Sequence, residues 1–133
     1  MRMLLQRVCV ALLLLFFSVS SYAGTGVSNQ KITHVIVVWL KKPGDAVQRQ
    51  RFLDASRKLN NLPGIINRHV GVIKPSQGHG HGQDTSFDVA VSVTLENQQA
   101  MDAYMNSPLH QQIIKKQLQP LVRKIITYNF SGG

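Results

Sequence analysis

The chain has 133 residues, 15 Lys and Arg against 6 Asp and Glu, a formal net charge of +9 and one cysteine. That length suggests a single domain; so few acids leave little for paired-carboxylate chemistry, and one cysteine excludes an internal disulfide. The basic residues are scattered, as in Lys41-Lys42, Arg57-Lys58, Lys115-Lys116 and Arg123-Lys124, with no aromatic residues between them, so a solvated basic surface is expected and a nucleic-acid partner is not.

The first 23 residues read as a secretory signal peptide. Arg2 and Arg7 form its positive start, residues 8–17 are continuously apolar, and Ser21-Tyr22-Ala23 offers small residues for cleavage before Gly24. The apolar run is shorter than the roughly 20 residues a bilayer span needs, so no stable membrane span is expected after cleavage. An uncleaved anchor is the alternative. Export follows, to the periplasm if the source is Gram-negative and otherwise to the outside. Cleavage of 23 from 133 residues leaves 110, removes Cys9 and lowers the charge from +9 to +7.

Residues 24–30 form a flexible lead-in, and residues 31–131 the domain. Residues 32–40, ITHVIVVWL, are apolar at nearly every position and rich in Val and Ile, which predicts a strand buried on both faces. Asp45 is placed to cap a helix running to about residue 60, with Val47, Phe52, Ala55 and Leu59 inward and Arg49, Gln50, Arg57 and Lys58 outward. Leu62-Pro63-Gly64 stops it.

Residues 65–73 predict a second strand, with Ile65, His69 and Gly71 on one side and Ile66, Val70 and Val72 on the other. Residues 74–86 are a loop. Residues 87–95 alternate, with Phe87, Val89, Val91, Val93 and Leu95 on one face and Asp88, Ala90, Ser92 and Thr94 on the other. Asn97 caps a short helix that puts Met101, Tyr104 and Met105 on one side. Ser107 caps the next, with Pro108 in its first position and Ile113, Ile114, Leu118 and Leu121 as its apolar side. Residues 122–130 form the last strand.

This order predicts an α+β, ferredoxin-like βαββαβ fold: a four-stranded antiparallel sheet with helices on one face. The other face stays bare and partly apolar. A second copy covers it most simply, which makes the expected assembly a homodimeric α/β barrel enclosing a cavity.

Four segments carry a family resemblance: HVIVVWLK from His34, Leu62-Pro63-Gly64-Ile65, FDVAV from Phe87, and AYMNSPLH from Ala103 to His110. Together they resemble the stress-responsive A/B barrel (Dabb) family over residues 32–130. The most specific element is Asp-x-Tyr-x-x-x-Pro-x-His from Asp102 to His110. The resemblance implies a ferredoxin-like homodimer. In one branch, a polyketide cyclase, the last histidine of the motif is a general base and the tyrosine before it an active-site residue; those positions here are His110 and Tyr104. Three departures bear on chemistry more than fold. Ser107 stands where many members have histidine, residues 78–82 look longer and richer in histidine, and the signal peptide is unlike the intracellular plant members.

His110 follows the Ser107 cap, where the positive helix end disfavours imidazolium and keeps a base neutral. With Tyr104 it makes a base and hydroxyl pair for an apolar cavity; the alternative is a histidine capping its own helix beside a packing tyrosine. His34, on the side of Ile36, Val38 and Leu40, is a further cavity residue or a buried histidine held by a carbonyl. Ala90, Ser92 and Thr94 form the small, polar wall of the dimer cavity. His79 and His81 in GHGHG, with Asp84, are weak metal candidates, since two histidines fall short of the three or four ligands of a zinc site. His69 has no evident partner. No metal site and no cofactor are assigned.

Three functions compete. The first is a non-catalytic, exported homodimer binding a small hydrophobic or aromatic molecule in its barrel cavity, the small-molecule partner being hydrophobic or anionic. The second is a cyclase- or lyase-like enzyme with His110 as base, and the third a heme or aromatic monooxygenase-like member of the wider dimeric barrel group.

Overall fold

The computed structural model describes residues 29–74 and 82–132, so residues 1–23, expected to be a signal peptide, and His79 and His81 lie outside the described residues. Four strands and three helices follow in the order β1 (Ile32–Leu40), α1 (Ala46–Arg57), β2 (Ile65–Val72), β3 (Val89–Leu95), α2 (Gln98–Asn106), α3 (Pro108–Ile113) and β4 (Val122–Ser131). A π-helical turn, Ile114–Leu118, and a 3-10 turn, Gln119–Leu121, join α3 to β4. The strands form one antiparallel sheet in the order β2-β3-β1-β4, the ferredoxin-like arrangement.

Register sorts the side chains into two faces, because successive residues of a strand point opposite ways. One set of cross-strand rows is Arg68-Val93-His34-Asn129, Val70-Val91-Ile36-Thr127 and Val72-Val89-Val38-Ile125. This face meets the helices. Val38, Val89 and Val93 are fully buried there against Phe52, Leu59, Met101, Tyr104, Ile113 and Leu118. Each such apolar side chain contributes about 1.5–3 kcal/mol on burial. The opposite rows, Asn67-Thr94-Thr33-Phe130, His69-Ser92-Val35-Tyr128 and Gly71-Ala90-Val37-Ile126, have no helix over them among the described residues. Tyr128 and Phe130 stand exposed on this bare face.

The predicted caps are present. Asp45 accepts from the Gln48 N–H at 2.7 Å, and Asn97 accepts from the Ala100 N–H at 2.9 Å. Gly64 has φ +83, and a Cβ there would lie 2.7 Å from Ala100 Cβ. Only glycine lets the turn into β2 pass so close to α2.

Four expectations need correction. Val47 is 61% exposed, and the buried stripe of α1 is Phe52, Leu53, Ala55 and Ser56, continued by Leu59 in the turn after it. Ile65 falls on the side of Val70 rather than of His69, because a bulge at Ile66 inserts a residue between the pairs Ile65–Leu95 and Asn67–Thr94. Phe87 and Asp88 leave the alternation of β3, which begins at Val89. Phe87 instead meets Trp39 edge-on at 6.5 Å, while Lys124 lies 4.5 Å from the same indole and Ser86 accepts its N–H.

Asp88 is the fourth. Its carboxylate accepts from Leu40 N at 2.9 Å, from Gly44 N at 2.8 Å and from Arg49 Nη2 at 3.2 Å, so Arg49 does not simply face solvent. Burial works to raise this carboxyl, but the Gly44 and Leu40 N–H groups and Arg49 outweigh it and hold it below its ordinary 3.8. A depressed carboxyl stabilises the fold above that value, and the contribution is lost as pH falls through the lower, folded-state value. Asp88→Asn is expected to cost roughly 1–3 kcal/mol at neutral pH, read from the urea midpoint, because a charge-assisted acceptor is lost. The difference from wild type should shrink as the pH falls below about 4. Equal midpoints at neutral pH would refute the role.

Candidate functional site: a cavity between helices and sheet

A cavity of about 380 Å³ lies between the helices and the inner face of the sheet. Its floor comes from His34 and Ile36 of β1, Val91 of β3 and Arg68 of β2. Phe52 and Ser56 of α1, with Leu59 just beyond it, form one wall, and Met101, Tyr104, His110, Ile114 and Leu118 the other. Ile125, Thr127 and Asn129 of β4 complete the lining yet are exposed, so the mouth opens over β4, the strand the helices cover least.

His110 reaches this space because of the break at Ser107-Pro108. The Ser107 hydroxyl accepts from the His110 N–H at 3.4 Å, and Pro108 starts α3 in a position that needs no donor. The chain therefore turns between α2 and α3 and brings His110 beside Tyr104, their rings 4.5 Å apart and inclined at 58°. The capped group is the backbone of His110; its ring caps nothing. His110 is 6% exposed and Tyr104 2%, and neither the imidazole nor the phenol has a hydrogen-bond partner among the described residues.

Burial, then the neighbouring His34 and Arg68, push the His110 imidazole below its ordinary 6.5. The neutral state expected from the helix end thus has desolvation as its main cause. A neutral imidazole in an apolar cavity can accept a proton, and the adjacent phenol can donate to an oxygen.

His34 Nδ1 lies 2.5 Å from the Asn129 amide oxygen, its neighbour in the same row. An amide oxygen only accepts, so Nδ1 carries the hydrogen of this bond. The partner is therefore a side chain, where a backbone carbonyl was the alternative. His34, Tyr104 and His110 share one cavity.

Ala90, Ser92 and Thr94 do not join them. They occupy the opposite face of the sheet, since β3 alternates and its Val residues meet the helices. Ala90 and Ser92 line a separate, more open depression of about 480 Å³ with His69, Asp84 and Phe87, and Thr94 meets Thr33 at 3.4 Å. One wall shared with His110 is thus ruled out by the pleat. His69 has a partner after all, Asn67 Nδ2 at 3.3 Å from its Nε2.

Arg68 is the residue the sequence reading passed over. Its Nη1 donates to Asn60 Oδ1 and its Nη2 to Ser56 Oγ, each at 2.7 Å, while its buried Nε has no partner. An unmade bond at such a donor costs about 1–3 kcal/mol. The signal was legible: Arg68 interrupts the otherwise apolar set Ile66, Val70 and Val72. No group of three or more metal-ligating side chains occurs among the described residues.

The family model described as "Stress responsive A/B Barrel Domain" matches residues 32–131. No curated protein matches at a significant level. Among solved structures, a Dabb family protein with a ferredoxin-like fold from Mesorhizobium loti is 22% identical, with a TM-score of 0.64 over 78% of this chain and 98% of that one. A hydroxynitrile lyase from Passiflora edulis is 16% identical, with a TM-score of 0.65 over 79% and 95%. A dimeric ferredoxin-like protein of unknown function from Thermobifida fusca is 20% identical, with a TM-score of 0.62 over 79% and 93%. At these identities the likeness concerns the fold.

A lowered histidine destabilises the folded state in acid, because the unfolded chain takes up the proton first. Between about pH 7 and 5 the stability of wild type should therefore fall, and His110→Asn should flatten part of that fall in urea titrations. An unchanged slope would mean that His110 titrates alike in both states.

Proposed function

Since the chain belongs to the stress responsive A/B barrel domain family, we propose that it is an exported homodimer that binds a small hydrophobic or aromatic molecule in the cavity between its helices and sheet. The observation that carries this reading is the cavity itself: about 380 Å³, lined mostly by apolar side chains, with the polar groups of His34, Tyr104 and His110 converging on it. That size falls within the range of about 300–1,000 Å³ for small-molecule sites. Residues 1–23 act as the cleaved signal peptide and residues 31–131 as the binding domain. The charged start, the apolar run and the small residues before Gly24 support export.

The bare sheet face supports the dimer. Val35, Val37, Ile126, Tyr128 and Phe130 lie side by side across β1 and β4, and burying such a face against its own copy removes it from water on both protomers. Neighbours of this fold are described as dimeric.

A second reading, a lyase- or cyclase-like enzyme, is favoured by the neutral, unpartnered His110 imidazole 4.5 Å from the Tyr104 ring. In it His110 removes a proton from bound substrate while Tyr104 donates to the oxygen that gains charge. His110→Ala would then abolish turnover with little change in ligand affinity.

Two measurements test the main reading. Ile125→Trp at the exposed mouth should weaken binding of a hydrophobic fluorescent probe by roughly tenfold, with little loss of stability because the site is open. Undiminished probe binding would remove the cavity as the site. Tyr128→Asp should shift the mature protein from dimer to monomer in light scattering at micromolar concentration, since a buried unpaired charge is costly. A wild-type monomer under those conditions would sink the dimer.

A further inference from the structure

We propose that Arg68 makes this cavity a site for an amphipathic organic anion, whose carboxylate meets the guanidinium while its apolar body lies among Ile36, Phe52, Leu59 and Met101. The inference rests on the reading of the cavity as a small-molecule site, and it names the class of that molecule.

The charge of the lining carries it. None of the eighteen residues around the cavity is Asp or Glu, whereas Arg68 lines it as a cation. Arg68 and His34 stand on one cross-strand row with only Val93 between them, roughly 10 Å apart at two strand spacings. Arg68 makes no ion pair among the described residues; its acceptors, Asn60 Oδ1 and Ser56 Oγ, are neutral. Arg49, the other arginine with a buried and unpartnered Nε, has the Asp88 carboxylate beside it.

A cation held against apolar walls without a counter-ion leaves a positive potential in the enclosure. Two of the five N–H donors of Arg68 are used, one on each Nη, which leaves a second hydrogen on each Nη for a carboxylate. A ligand anion would supply the missing charge. A protonated amine would meet like charge at Arg68.

Isothermal titration of octanoate against octanamide, and of benzoate against benzamide, tests this on the mature protein. Each carboxylate is expected to bind wild type roughly tenfold or more tightly than its amide, as charge-assisted hydrogen bonds imply. Arg68→Gln should bring the two within about twofold by weakening only the carboxylate, and Arg68→Lys should keep part of the preference, since lysine retains charge without the fork. Equal affinities on wild type would overturn the anion while leaving the small-molecule reading standing. A preference that survives Arg68→Gln would overturn the role of Arg68. Binding of neither acids nor amides would remove both readings. The acid-to-amide ratio on wild type decides the ligand class even where a variant folds poorly.

Discussion

One buried carboxylate ties the helix layer to the sheet. Asp88 stands just before β3 and accepts from Leu40 at the end of β1, from Gly44 in the following turn and from Arg49 in the first turns of α1. Residues 40–49, from the end of β1 into α1, are thereby tied at one corner to a residue 39–48 positions further along the chain. The direction in which α1 leaves that corner sets where Phe52, Ser56 and Leu59 meet the sheet, and those side chains form a wall of the cavity. The burial of Asp88 is tolerable because its bonds outweigh desolvation; without them an ionised group there would be expelled or neutralised.

The cavity results from incomplete coverage. Helices on one face of a four-stranded sheet cover β3 and β1 thoroughly, while the inner residues of β4 remain exposed. The break at Ser107-Pro108 prevents α2 and α3 from forming one straight rod, and the π-helical turn that follows places Ile114 and Leu118 along the same opening. π-helical turns often occur at functional sites, where they re-aim side chains. Within this space electrostatics are one-sided. Arg68 is fixed as a cation, and it helps hold His110 neutral. A permanent positive charge and a neutral imidazole therefore line one cavity.

The two faces of the sheet serve different ends. The inner rows combine large aliphatic residues with His34, Arg68 and Asn129, whereas the outer rows carry small and β-branched residues at the centre and aromatic ones on β4. Trp39 is shielded locally by Phe87, Ser86 and Lys124, whereas Tyr128 and Phe130 stand exposed among the described residues.

Strand and helix identity, the caps at Asp45, Asn97 and Ser107, and the family were all legible along the chain, because each depends on residues a few positions apart. Periodicity also put His34 on the side of Ile36 and Val38, where it lies. Long-range register was not legible. The bulge at Ile66 reverses the side of Ile65, the start of β3 at Val89 releases Phe87 and Asp88 from the alternation, and the pleat separates Ser92 from His110 although both belong to one continuous block. Local pattern thus determined which elements form. Only the tertiary structure decided that Arg68, His34 and His110 share one space, because that depends on strand pairing and helix angle, which no short stretch of sequence encodes.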